Sequence, residues 1–188
     1  AYTVYALAFP TGITGVTHKN GFGCTCHGLA SANVTVTIAG PDTLAPGQTA
    51  PYTVTISGGP SISGGTNIAA SAGTLIPISP TLQVVDGELT HNMAVPFGAE
   101  VLVFDFSYTA PGTEGPETLY ANGNSVNFDH TPLNDEWNFA PDKRIVVRTA
   151  IVPPPVFSIN DTVRQGWNML SVPVVVGNSF KDSVFHHA

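Results

Sequence analysis

The chain has 188 residues, 43% hydrophobic and 10% charged, with a formal net charge of −7. That composition excludes a charge-driven disordered chain, and the length suffices for one domain with a real core. The cations are Lys19, Lys143, Arg144, Arg148, Arg164 and Lys181, so no Lys or Arg falls between Asn20 and Asp142; nucleic acid and anionic membranes, which both call for a basic surface, are poor partners.

In chain order, "AYTVYALAF" (1–9) is apolar and extended in character and ends at Pro10. No basic stretch leads into an apolar one at the start, so an exported chain is expected to have lost its signal peptide already. Residues 10–32 are glycine-rich and irregular. "NVTVTI" (33–38) alternates with period two, "PDTLAPGQ" (41–48) is a turn cluster, and "YTVTIS" (52–57) alternates again. "GGPSISGG" (58–65) reads as a loop and "TNIAASAGTL" (66–75) as a strand with a small-residue break. "TLQVVDGELT" (81–90) is strand-like up to a turn at Asp86-Gly87. "EVLVFDFSYTAP" (100–111) is the clearest strand, with Leu102, Phe104, Phe106 and Tyr108 on one face. "ETLYANGNSVN" (117–127) reads as a strand running into an Asn-Gly turn, and "KRIVVRTAIV" (143–152) closes the set. Short strands with no long 3.6-period segment predict an all-β, immunoglobulin-like β-sandwich over 33–152. No apolar run reaches the roughly 18–20 residues of a membrane helix. "PPP" at 153–155 is a stiff hinge. The tail to 188 is too short for a core of its own, so it packs on the sandwich, pairs with another subunit, or begins a further module. The expected organisation is thus 1–32, 33–152 and 153–188.

The two cysteines stand in "GFGCTCHGLA" (21–30), as Cys24-Thr25-Cys26-His27. Four readings compete. A disulfide across one intervening residue is strained. A zinc or copper site lacks a second cysteine pair. A redox dithiol needs a thioredoxin-like βαβ setting that the strand pattern does not provide. The fourth is a c-type haem site one residue shorter than C-x-x-C-H, with Cys24 and Cys26 as thioether anchors and His27 as proximal iron ligand. The Cys26-His27 adjacency favours it, and Gly21, Gly23 and Gly28 let backbone approach a flat macrocycle.

The blocks "GITGVTHKNGFGCTCHG", "VTVTIAGPDTLAPGQTAPYTVTI", "GGTNIAASAGTL", "DGELTH", "FDFSYTAPGTEGPETLYANGNSVN" and "DEWNFAP" resemble exported bacterial β-sandwich domains of the choice-of-anchor V type, related to the reelin N-terminal (reeler) domain. The resemblance runs from about 12 to 148. It implies a sandwich carrying an N-terminal cytochrome c-like attachment segment, with one haem c per chain. "GWNMLSVPVVV" in the tail is similar to the start of C-terminal modules in secreted bacterial proteins.

An electron-transfer haem needs a second axial ligand. The candidates are His91, His18, His130 and Met93 in that order, with His186 and His187 behind them. His91 ends a strand–turn unit, a rigid place from which to hold a ligand, and lies in the "DGELTH" block of the resembling family. Trp137, Phe139, Phe22 and Tyr108 are able to wall a haem; Tyr108 and Phe139 are expected in the sandwich core and Phe22 at the haem. No phosphate loop, nucleophile elbow or metal-hydrolase motif argues for an enzyme. The expectation is an extracellular monohaem cytochrome that passes electrons to redox partner proteins or an extracellular acceptor. The two apolar ends favour homopolymerisation by strand exchange. The alternative is a structural or adhesive surface protein that polymerises in the same way.

Overall fold

A computed structural model describes residues 9–21, 23–129 and 131–149. The period-two segments form β1 (Val34–Ala39), β2 (Thr43–Leu44), β3 (Thr49–Gly58), β4 (Ser63–Ala70), β5 (Thr74–Pro77), β6 (Leu82–Val85), β7 (Glu88–His91), β8 (Val95–Pro96), β9 (Val101–Thr109), β10 (Gly115–Val126), β11 (Glu136–Phe139) and β12 (Lys143–Val147). They make two open sheets, a four-stranded β1-β3-β9-β5 and a larger β2-β12-β10-β4-β7-β6 with β11 on β10 and β8 on β4. β2 joins β12 in parallel. The all-β sandwich is therefore the observed architecture. Among the described residues no helix is long and apolar enough to cross a membrane.

The core lies between the sheets. Leu102, Phe104, Phe106 and Tyr108 of β9 are all buried, as their alternation predicts, and meet Val54 and Ile56 of β3 and Ile68, Leu119, Ala121 and Ile145 of the larger sheet. Each buried Val, Leu, Ile or Phe side chain among them contributes about 1.5–3 kcal/mol of transfer free energy. The two buried phenols are satisfied: Tyr52 donates to Pro41 O and Tyr108 to Ala72 O.

Three sequence expectations are corrected. The loop expected over 58–65 gives way to β4 from Ser63. The single strand expected over 66–75 is two, β4 and β5, in opposite sheets. The break between them turns at Gly73, φ 83°, where a Cβ would lie 2.4 Å from Thr109 O. Asn122-Gly123 is the interior of β10 rather than a turn. Gly123 is there because Ile56 of the facing sheet fills its side-chain space, at 2.5 Å from a would-be Cβ. The short strands β2, β8 and β11 carry too few residues to show alternation. Residues 1–8, Phe22, His130 and 150–188 lie outside the described residues, and with them the N-terminal apolar segment, the proline hinge and the tail.

One feature of the larger sheet prepares the site. An antiparallel strand facing solvent on one side alternates buried and exposed, yet β7 is buried at all four positions and β4 at seven of eight. Its core-facing positions are apolar (Ile68, Leu89, Ala121). On the opposite face, Asn67 stands beside Asn122 and Thr90 in register. Segment 11–16 covers that face and is held by side chains in place of a strand ladder. Ile13 N–H donates to Thr90 Oγ1 at 3.0 Å, Gly15 N–H to Glu88 Oε2 at 2.8 Å and Val16 N–H to Asn67 Oδ1 at 3.1 Å. Asn122 Nδ2 donates to Val16 O at 2.7 Å and Gln83 Nε2 to Thr11 O at 2.6 Å. Gly12, at φ 92°, passes so close that a Cβ would stand 2.2 Å from His91 O.

Candidate functional site

Downstream of the docked segment, the cysteine motif closes into one turn of 3₁₀ helix, Thr25–His27. His27 N–H donates to Cys24 O at 2.9 Å and Gly28 N–H to Thr25 O at 3.2 Å. The one-residue spacer thus forms a regular tight turn. Both thiols are free, Cys24 half-buried and Cys26 exposed. Burial, and then the neighbouring Cys26, push the Cys24 thiol up to about 12.

β11 props the turn from outside. Trp137 Nε1 donates to Gly28 O at 3.0 Å, and Ser31 N–H donates to Trp137 O at 2.8 Å. A Cβ at Gly23 would stand 2.0 Å from the Trp137 ring. His27 is held from the same side by Asp135, whose Oδ2 lies 2.9 Å from His27 Nδ1.

His91 is at the end of β7, where the β4–β7 ladder gives out after Asn67–Thr90. Its ring folds back on β4: Nδ1 is 3.2 Å from Thr66 N and 3.1 Å from Thr66 O. A Cβ at Gly65 would stand 2.4 Å from the ring, so the imidazole occupies the space glycine leaves. The residue is 8% exposed. Burial is the main influence on it and lowers its pKa, against hydrogen bonds with the Thr66 and Phe9 backbone that raise it. This favours the neutral imidazole, the form that ligates metals.

These pieces surround one cavity of about 140 Å³. Cys24, Cys26 and His27 line one part of it and His91 another, with Phe9, Ile13 and Val16 among its apolar walls. Asn124 also lines it, and its buried Oδ1 has no hydrogen-bond donor. The arrangement brings Cys24, Cys26, His27 and His91 together across more than sixty residues of chain. Among the described residues, no three His, Cys, Asp or Glu side chains cluster closely enough to hold a bare metal ion, which is unlike the converged ligands of structural zinc.

The other candidates fall elsewhere. His18 stacks on Phe139, centroids 3.7 Å apart, and pairs with Asp142 Oδ1 at 3.1 Å; it is not part of the cavity wall. Met93 is 54% exposed and also away from the wall. His130 and Phe22 lie outside the described residues. Tyr108 is in the core as expected. Phe139 is not: it is half-buried, stacked under His18 and edge-on to Trp137, because β11 pairs with β10 only over Asn122–Ser125. Sequence reasoning missed Asp135, Thr66, Asn67 and Asn122. No spacing rule links them to the cysteine motif; only the strand register brings them there.

No protein-family model and no curated protein matches the chain. Several solved domains are partly similar to it. The CARDB domain of a Pyrococcus furiosus protein in solution is 21% identical at a TM-score of 0.39, covering 63% of this chain and 97% of that one. A crystal structure of that CARDB domain with di-metal ions is 20% identical at a TM-score of 0.37, covering 61% and 91%. The PKD domain of an M14-like peptidase from a Thermoplasmatales archaeon is 11% identical at a TM-score of 0.38, covering 61% and 94%. These are β-sandwich neighbours only; the site has to be argued from its own residues.

Proposed function

We propose that the chain is an extracellular monohaem c-type cytochrome of the reeler-like, choice-of-anchor V kind, which carries electrons and performs no bond chemistry on a substrate. The observation that carries this reading is the single cavity lined by Cys24, Cys26, His27 and His91. The donor set suits haem better than a bare ion. The porphyrin supplies four of the iron's six ligands, so the protein needs only two imidazoles from separate elements, plus two thiols on one short turn. His27 has a carboxylate acceptor at Nδ1, Asp135, which leaves its Nε2 as the ligating atom, while His91 Nδ1 lies against both N and O of Thr66. The apolar walls and the unpartnered Asn124 Oδ1 are in keeping with a bound group.

The cavity is smaller than the roughly 300–1,000 Å³ of an ordinary cofactor pocket, so a bound haem would need the cavity walls to spread. When bound, the haem supplies a reversible one-electron couple. The protein's part is to hold the two imidazoles, shield the cavity and present the site to donor and acceptor proteins. The test is intact mass together with a visible spectrum in pyridine and base. A mass above the chain by one haem, with a red-shifted α band, is expected. A colourless protein at chain mass, or at chain mass less two protons, ends the reading.

A second reading, a structural protein that polymerises by strand exchange, draws on the open lateral edge of the smaller sheet. Among the described residues β1 pairs with no strand but β3, and Asn138 Nδ2 donates to Val34 O at its start. β1 carries no Lys, and no Lys or Arg occurs anywhere in that sheet; charged residues are the usual protection of such edges. Polymerisation is compatible with the cytochrome reading, each subunit then contributing one haem to a filament. Colourless filaments in electron micrographs support the structural reading alone; haem-bearing filaments support both; a monomer at high concentration removes the polymer.

A further inference from the structure

We infer that Asp135 is the positioning residue of His27: its carboxylate holds the ring by Nδ1–H and thereby sets the tautomer, the orientation and the electron richness of Nε2 toward the haem iron. The inference rests on the haem reading above and deepens it.

The geometry is specific. Asp135 Oδ2 lies 2.9 Å from His27 Nδ1, with the two side chains only 5% and 12% exposed. The carboxylate is itself fixed, since its other oxygen, Oδ1, accepts Asn127 N–H at 3.0 Å. Asp135 immediately precedes β11, whose next residue, Glu136, pairs with Ser125 of β10. Two residues further on, Trp137 holds Gly28 O. One strand therefore grips the haem-attachment turn at both of its last residues, by an acceptor at His27 and a donor at Gly28.

A neutral imidazole that donates from Nδ1 carries its lone pair on Nε2, the tautomer needed to ligate through Nε2. A charged acceptor does more than a neutral one. It draws the Nδ1 proton toward itself, makes Nε2 a stronger donor, and so favours the ferric over the ferrous state. The contrast lies within the same cavity, because His91 Nδ1 lies against the uncharged backbone of Thr66, 3.2 Å from its N and 3.1 Å from its O. A haem held by both rings would have its more electron-rich imidazole at His27.

Two measurements test this, one of them without haem. In the haem-free protein, nitrogen-15 NMR of the His27 ring is expected to show the Nδ1–H tautomer, and Asp135→Ala to shift it toward Nε2–H. In the haem-loaded protein, Asp135→Asn removes the charge and keeps one oxygen acceptor for the two donors, His27 Nδ1–H and Asn127 N–H, that the carboxylate serves. It is expected to move the equilibrium about tenfold toward the ferrous form, a positive shift of about 59 mV for a one-electron couple, read on the haem-bearing molecules. Asp135→Glu is expected to recover part of that shift. A wild-type ring in the Nε2–H form, or a potential that Asp135→Asn leaves unmoved, overturns the proposal. Absence of haem from the wild type overturns the cytochrome reading instead, and the tautomer measurement then still decides whether Asp135 governs the ring.

Discussion

The two faces of β4, β7 and β10 are built on different principles. Toward the sandwich, Ile68, Leu89 and Ala121 are buried by apolar contact, which is additive and tolerant of exchange between side chains of similar volume. On the other face, Asn67, Glu88, Thr90 and Asn122 are buried by hydrogen bonds that are directional and specific to one register of segment 11–16. Asn67, Glu88 and Asn122 there bind more than once: Asn67 N–H also donates to Asn122 Oδ1, and Asn67 Nδ2 to Glu88 Oε2. One face makes the fold, and the other fixes where the cysteine turn sits relative to His91. A sheet with only the first face would be an ordinary sandwich with a loose N-terminus.

The comparison breaks most severely at the core. Phe104→Ala empties a fully buried position between the sheets and is expected to cost about 3–5 kcal/mol in denaturant unfolding. On the cytochrome reading, the molecules that remain folded are expected to keep the haem spectrum of the wild type, because the second face is intact. Asn122→Ala strikes the other face. It strips Val16 O and Asn67 N of partners and is expected to cost about 1–3 kcal/mol. Here hydrogen exchange should rise selectively at Ile13, Gly15 and Val16, with the β3 and β9 amides unchanged; uniform acceleration would mean that the two faces are one unit. Trp137→Phe removes the bond to Gly28 O and part of the ring that packs against Gly23. It is expected to lower stability by about 0.5–1.5 kcal/mol, with slower haem attachment as the clearer readout.

Period-two alternation was enough to find the inner face. Leu102 to Tyr108 announce β9, and the Asp86-Gly87 hairpin turn, with both φ positive at 51° and 80°, lies where its sequence puts it. Alternation also misleads where the polar face is covered. Asn122-Gly123 carries the composition of a turn, yet Gly123 makes room for Ile56 across the core while Asn122 holds Val16 and Asn67 on the other side. The cysteine turn and His91 were legible as candidates because their chemistry is local: adjacent Cys26-His27, and a histidine ending a strand. That they meet is a matter of register and of segment 11–16 lying across β7, and no local pattern encodes either. His18, closer to His27 in sequence, is drawn away by Phe139 and Asp142. Asp135 was invisible because its role depends on a contact across 108 residues of sequence.

The account stands most directly on the spin state of the His91→Ala protein. The wild type is expected to be low-spin, with His27 and His91 as its two axial ligands. Removing the His91 imidazole leaves an open iron position, so electron paramagnetic resonance and the visible spectrum of the variant should report a high-spin haem that takes up added imidazole and returns to low spin. A His91→Ala protein that keeps the low-spin spectrum of the wild type contradicts the account, since the second ligand would then come from elsewhere in the chain.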